Sequence, residues 1–268
     1  MIMPKSDRVA TRLLRRAKQY AGRSLYLPTE APHFQMEANG QRYVFCTIHK
    51  NASSSIRAMV EAASPHARSP DESIFRFLYL NHLTRFYREF RTASYVIVFV
   101  KHPVHRIVSC FQNKFIQRKG HRAIFKDYQR VTGQDPANAT FERFVREYVA
   151  ACFKGEVVDR RCNRHIYTQK QQLLPVAYDV IERVDQFDET MKVLGLSRLL
   201  GGRANVTSDT VEMRGAWDQA SEVLYNTYCE RGQTPNRKSL LDEELATEIK
   251  HLYRADFRAF GYLFGEIV

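Results

Sequence analysis

The stretch Tyr95-Val96-Ile97-Val98-Phe99-Val100-Lys101-His102-Pro103-Val104-His105-Arg106-Ile107-Val108-Ser109 decides the fold. Its first six residues are a near-continuous β-branched and aromatic run. That predicts a strand covered on both faces, as in the middle of a parallel sheet. Pro103 follows almost at once, and its missing N–H suits the first turn of a helix, where that donor has no partner anyway. Apolar residues at Ile107, Val108, Phe111 and Phe115 carry the helix onward. Strand, cationic loop and helix come in that order.

The same order occurs upstream. Arg42–Ile48 reads as a strand and Ser53–Ala63 as the helix after it, joined through Thr47-Ile48-His49-Lys50-Asn51-Ala52-Ser53-Ser54-Ser55-Ile56. A helix that opens directly from a strand offers unpaired backbone N–H groups and a positive dipole end to an anion. Ser53, Ser54 and Ser55 add hydroxyls, Lys50 adds a mobile charge, and Asn51 and Ala52 complete the loop. The layout is P-loop-like, but G-x-x-x-x-G-K-[ST] is absent and the loop holds no glycine. A serine cluster that only caps a helix accounts for the same residues. In the downstream segment Lys101 ends the strand, Ser109 lies two helical turns in, and Arg106 sits one turn before it on the same side. A cation at the strand tip and a hydroxyl on the helix flank suit one phosphate. A Pro-started helix with a solvated arginine is the alternative.

The 268 residues are 44% hydrophobic and 26% charged, enough for a globular core. The longest apolar run, Tyr95–Val100, is far too short to span a bilayer, and no signal-peptide core opens the chain. Five cysteines (Cys46, Cys110, Cys152, Cys162 and Cys229) include no Cys-x-x-Cys pair, which argues for free thiols in a reducing, cytoplasmic setting rather than a disulfide framework or a zinc site. No metal is expected. Half of the net charge of +12 sits before residue 26, where seven cations face the single anion Asp7. Val9, Leu13, Leu14 and Ala17 fall at helical spacing among those arginines. Residues 1–25 therefore read as a basic amphipathic arm, either packed on the body or touching an anionic membrane surface or other polyanion. Residues 26–268 read as one domain.

Further along, the aromatic 75–90 region is expected to be helical and the polar 119–138 segment a surface excursion. Phe141–Phe153 is expected as an amphipathic helix, Tyr178–Val184 as a strand and Leu240–Phe257 as a last helix. Strands alternating with helices predict an α/β domain, with a mainly parallel central sheet flanked by helices.

Together the two loop segments resemble the sulfotransferase family, in particular its membrane-type carbohydrate branch and the bacterial relatives of that branch. Two later stretches extend the resemblance. Asn163-Arg164-His165-Ile166-Tyr167-Thr168-Gln169 and Tyr178–Asp185 are similar to that branch's H-W-x-P-Q and Y-D-F-I-G-R-F-E segments, and Leu252–Tyr262 looks like its closing helix. The resemblance covers roughly 42–262. It implies a P-loop NTPase-like three-layer fold and sulfuryl transfer from 3′-phosphoadenosine 5′-phosphosulfate to an acceptor hydroxyl, carbohydrate being the foremost acceptor. By the same resemblance Lys50, Asn51, Ala52, Ser53, Ser54 and Ser55 hold the 5′ end of the donor, Lys50 stabilises the leaving oxygen, and Lys101, Arg106 and Ser109 hold the 3′-phosphate. Lys101 stands where the family mostly has arginine, His102 where it has an acid, Thr168 where it has proline and Ile166 where it has an indole. His82, upstream of Lys101 where relatives carry a candidate base, is implied as the catalytic base, with His165 the second choice.

Two rival readings remain. A nucleotide kinase is disfavoured by the missing Walker sequence. A nucleic-acid-binding module is disfavoured because the charge is concentrated in the arm and no recognised binding motif occurs. Asn51-Ala52-Ser53, Asn138-Ala139-Thr140 and Asn205-Val206-Thr207 are formal glycosylation sequons. A glycan on Asn51 would block the proposed loop, so either the chain never meets that machinery or the site is inaccessible.

Overall fold

The computed structural model describes residues 30–201 and 210–266. The basic arm and the Asn205 sequon lie outside them. The described residues form two compact units, one of residues 30–101 with 171–201 and the other of residues 102–170 with 210–266.

The first unit is built on a four-stranded sheet of β1 (His33–Ala38), β2 (Gln41–Cys46), β3 (Tyr95–Val100) and β4 (Val180–Arg183), in that spatial order. The β2–β3 and β3–β4 pairs are parallel, and β1–β2 is antiparallel. The predicted central strand is thus central, with Ile97 opposite Phe45 on one side and Val180 on the other. Side chains alternate between the faces. Phe45, Ile97 and Phe99 pack with Ile56, Met59 and Val60 of α1 (Ser53–Ala62) and Phe77 and Leu78 of α2 (Ile74–Asn81). Val44 and Val96 face the other way, onto Phe90, Ala93, Leu174 and Val176. Phe90 belongs to α3 (Tyr87–Thr92), so the aromatic 75–90 region is two helices with an extended break between them.

Strand β1 was not anticipated. It is joined to β2 by Asn39-Gly40, whose φ values of 52° and 71° make a two-residue hairpin turn of the type that needs both central residues left-handed. Its outer edge is covered by that break. The Gln35 N–H donates to the His82 carbonyl (2.8 Å), the Thr84 N–H to the His33 carbonyl (2.9 Å), and Phe34 bridges Leu83.

The second unit is helical. α4 (Pro103–Phe111) starts at the proline as expected and runs into a wider turn, Gln112–Ile116. Its core gathers Phe111, Phe115, Phe141, Phe144, Tyr148 and Tyr253. The expected excursion over 119–138 is instead largely α5 (Arg122–Thr132), which buries Ile124, Asp127 and Tyr128 and is ended by Gly133 at φ 72°. Ile124 and Tyr128 lie at i, i+4, a helical pair masked by the polar residues around them. The last helix is two, Glu243–Leu252 and Arg254–Phe260, broken at Tyr253. Among the described residues no helix is long and apolar enough to cross a membrane.

Candidate active site

Within the first unit, the upstream loop leaves β2 and opens α1. Lys50 (φ 70°) and Ala52 (φ 55°) both adopt the left-handed region that non-glycine residues rarely enter. Each such position stores on the order of 1–3 kcal/mol and persists only where the surroundings enforce it. Here Asn51 does the enforcing. It is buried, and its amide Nδ2 donates to the Phe99 carbonyl of β3 at 2.9 Å. Burial also puts the Asn51 sequon out of reach. Ala52 has no side chain with which to cap α1, and no acid stands in the first turn. The helix therefore begins with its N–H groups unclaimed by a capping side chain, beside half-buried Lys50, Ser54 and Ser55. That arrangement favours an anion. A further cation, which the sequence reading passed over, stands one turn on. Arg57 donates to the Ser54 hydroxyl (3.1 Å), and its guanidinium lies 4.4 Å from the centre of the Phe75 ring. Its i, i+3 spacing from Ser54 was the available signal. Lys101, half-buried at the end of β3, belongs to this same unit.

The second unit holds Arg106 and Ser109. Ser109 is half-buried on α4. Arg106 is fully buried, and its guanidinium donates to the backbone carbonyls of His165 (3.1 Å) and Tyr167. Two more side chains hold the same segment. The Tyr253 hydroxyl donates to the Ile166 carbonyl, and Asp256 accepts from the N–H groups of Gln169 (2.9 Å) and Lys170 (2.8 Å). Asp256 is wholly buried, and burial pushes its carboxyl up against the opposing pull of Arg106. Three motifs that are far apart in sequence thus meet, because residues from α4 and from the closing helix seize the main chain of 165–170.

That interlock agrees with the comparison of sequences. The sequence model of the Sulfotransferase family matches residues 33–263. The chain belongs to the sulfotransferase family. No curated protein and no solved structure matches it. As a family member it is a transferase that moves a sulfuryl group to a hydroxyl-bearing acceptor.

The geometry of this sulfotransferase revises two expected roles. Arg106 is committed to carbonyl oxygens in the interior, so it positions the 165–167 turn and is not open to a phosphate. His82 is buried, with Nδ1 3.0 Å from the Gln35 carbonyl and Nε2 2.9 Å from the Ser64 hydroxyl. A carbonyl only accepts, so Nδ1 carries the proton, and Nε2 is taken by Ser64. Ser64 follows the C-terminal end of α1, whose ten residues rise roughly 15 Å. His82 therefore sits at the opposite end of α1 from Lys50, and its role there is structural.

His165 is different. It is half-exposed on the one-turn helix Arg164–Ile166. The Asn163 side-chain oxygen caps that turn by accepting from the His165 N–H (3.1 Å), and it also lies 2.7 Å from Nδ1. The backbone donor identifies the Asn163 atom as oxygen, so Nδ1 must donate to it. The lone pair of the neutral ring is then on Nε2, as a general base requires.

Proposed function

We propose that the chain transfers the sulfuryl group of 3′-phosphoadenosine 5′-phosphosulfate to a hydroxyl of an acceptor, most suitably a carbohydrate. The observation that carries this reading is the uncapped start of α1 behind the strained Lys50–Ala52 turn, in a chain of the sulfotransferase family. Lys50, Asn51, Ala52, Ser53, Ser54 and Ser55 grip the 5′ phosphosulfate end on a P-loop-like strand–loop–helix. By the family resemblance Lys101 and Ser109 are assigned to the 3′-phosphate, while Arg106 holds the 165–167 turn instead. The new S–O bond forms at the acceptor oxygen as the S–O bond to the nucleotide breaks. Lys50 stabilises the charge left on the departing oxygen, and positioning with charge stabilisation does most of the work. The acceptor proton goes to Nε2 of His165. No step needs a metal.

The family match runs through both compact units, which supports one catalytic domain over 26–268. Five free cysteines fit a cytoplasmic enzyme. The arm, residues 1–25, is proposed to touch an anionic membrane surface or polyanionic acceptor. Adenosine 3′,5′-bisphosphate should raise the melting temperature, because a ligand of the folded state alone stabilises it. Transfer of radiolabelled sulfate from the donor to oligosaccharides, lipids or peptides then identifies the acceptor. No shift with the bisphosphate and no transfer to any acceptor would remove the reading.

A further inference from the structure

In the second unit, a small hairpin of Phe153–Lys154 and Val157–Val158 brings two cysteines together. The Asp159 N–H donates to the Cys152 carbonyl (2.8 Å), and the Cys162 N–H to the Asp159 carbonyl (2.9 Å). The two sulfurs and a carboxylate oxygen of Asp127 all lie within 4.8 Å of one another. Both cysteines are free thiols, and they are not equivalent. Cys152 is buried at the end of a helical stretch. Cys162 lines a cavity of about 370 Å³ together with Lys126, Arg130 and Arg164, and Arg130 Nη2 stands 3.9 Å from its sulfur. Burial and the hydrogen bond to Cys162 push the Cys152 thiol well up, which keeps it protonated.

We propose that Cys152 and Cys162 form an oxidisable dithiol that hydrogen peroxide entering the cavity closes to a disulfide, and that closure resets the turn carrying His165. The Cys162 sulfur gives up its proton and attacks one oxygen of the peroxide, the O–O bond breaks, and the departing hydroxide takes that proton and leaves as water. The Cys152 sulfur then attacks the sulfenic sulfur of Cys162, and a second water departs with the Cys152 proton. Two thiols and one peroxide give one disulfide and two waters.

A metal is the competing use of these three ligands, and the surroundings oppose it. Asp127 already accepts from the Tyr148 hydroxyl (2.6 Å) and the Asn163 N–H (2.6 Å) and pairs with Arg130, whose charge a cation would have to approach. Closure acts on the turn through adjacency. Cys162 precedes Asn163, whose N–H is tied to Asp127 and whose side chain fixes the tautomer of His165. A disulfide holds its sulfurs about 2.05 Å apart, closer than two free thiols approach, so closure pulls on this short path.

The full chain is treated with hydrogen peroxide, the remaining thiols are alkylated after denaturation, and the peptides are mapped. Exposed Cys229 records that oxidant reached the protein. The expected product is a peptide pair linked through Cys152 and Cys162, released by dithiothreitol and absent in Cys152→Ser, where Cys162 goes on to the sulfinic acid instead. Oxidised Cys229 beside fully alkylatable Cys152 and Cys162 overturns the proposal. So does one-to-one zinc binding that shields both thiols in untreated protein. The ring of His165, followed by NMR, should shift its titration on oxidation. An unchanged titration with the disulfide formed overturns the coupling to the turn. Any effect on turnover rests on the sulfotransfer reading, whose failure shows separately as the absence of stabilisation by the bisphosphate.

Discussion

Replacing Arg106 with methionine separates the two roles that an arginine at this point of the motif can have. Methionine keeps length and apolar bulk and removes every donor. The carbonyls of His165 and Tyr167 then lose their charged partner inside the second unit, and Asp256 loses the cation that opposes its burial. Hydrogen bonds to charged groups contribute about 1.5–3 kcal/mol each. Two of them, with a buried carboxyl left uncompensated, put the loss at about 3–5 kcal/mol, the range for breaking a buried ion pair. A domain of ordinary stability has about 5–15 kcal/mol in all, so the variant should be visibly crippled. At about 2–4 °C per kcal/mol for a chain of this size, the melting temperature should fall by on the order of 10 °C. Urea unfolding should show a lower midpoint with an unchanged slope. Calorimetry at a temperature where the variant is folded should return nearly wild-type affinity for adenosine 3′,5′-bisphosphate. Tyr253→Phe, which removes the bond to the Ile166 carbonyl, should couple to Arg106→Met by about 0.5–3 kcal/mol because both grip one segment. A variant as stable as the parent that no longer binds the bisphosphate would refute the reasoning and return Arg106 to the phosphate.

Lys50→Ala should leave the melting temperature nearly unchanged and lower turnover by roughly 10²–10³, the usual loss of a charge-stabilising group; near-normal turnover in the folded variant removes it from the mechanism. His165→Gln should lower turnover by roughly 10²–10⁴ and abolish the acidic limb of the turnover–pH profile, whereas His82→Gln should keep that limb and lose stability instead; the opposite pattern reinstates His82 as the base. His33 is buried and its pKa is lowered to about 3, while the unfolded chain titrates near 6.5. Protons therefore bind the unfolded state preferentially below pH 6.5, and this contribution to stability, complete above that value, should shrink by about 1.4 kcal/mol per pH unit on acidification down to about pH 3. Urea midpoints from pH 7 to pH 5 should fall less steeply in His33→Asn than in the parent, and parallel curves would contradict the assignment. Deleting residues 1–23 should leave transfer to a small neutral acceptor intact and weaken binding to anionic vesicles with a shallower salt dependence; identical salt titrations return the arm to packing.

The elements legible in the sequence were those whose signal is local. The run Tyr95–Val100 became the central strand, and Pro103 opened α4, because periodicity and proline chemistry act over a few residues. Asn39-Gly40 was equally local and was passed over, which is why β1 went unanticipated. The Lys50 loop was legible as a strand–loop–helix. Its left-handed backbone was not, since Lys and Ala carry no positive-φ signature and the constraint comes from Asn51 reaching Phe99. The two revised roles were illegible for one reason. Whether Arg106 or His82 meets a ligand or a main-chain carbonyl depends on partners scores of residues away in sequence, Tyr167 for one and Gln35 for the other. Residue type and spacing are the same in either case.

The place of His82 bears on how this protein behaves in a crowded solution. Strand β1 is the outermost strand of its sheet, and among the described residues the break at 82–84 pairs with its free side. An uncovered strand edge is a template on which a second chain can add itself. His82 fastens that cover twice, through its main-chain oxygen to the Gln35 N–H and through its ring to the Gln35 carbonyl. Burial already lowers the affinity of the ring for a proton. Forced protonation in acid leaves the Nδ1–H bond to Gln35 in place and puts a second hydrogen on Nε2, toward the Ser64 hydroxyl, which can accept it. Replacing this histidine with a residue that cannot donate to the Gln35 carbonyl removes one of the two fastenings, and the expected consequence is self-association through β1.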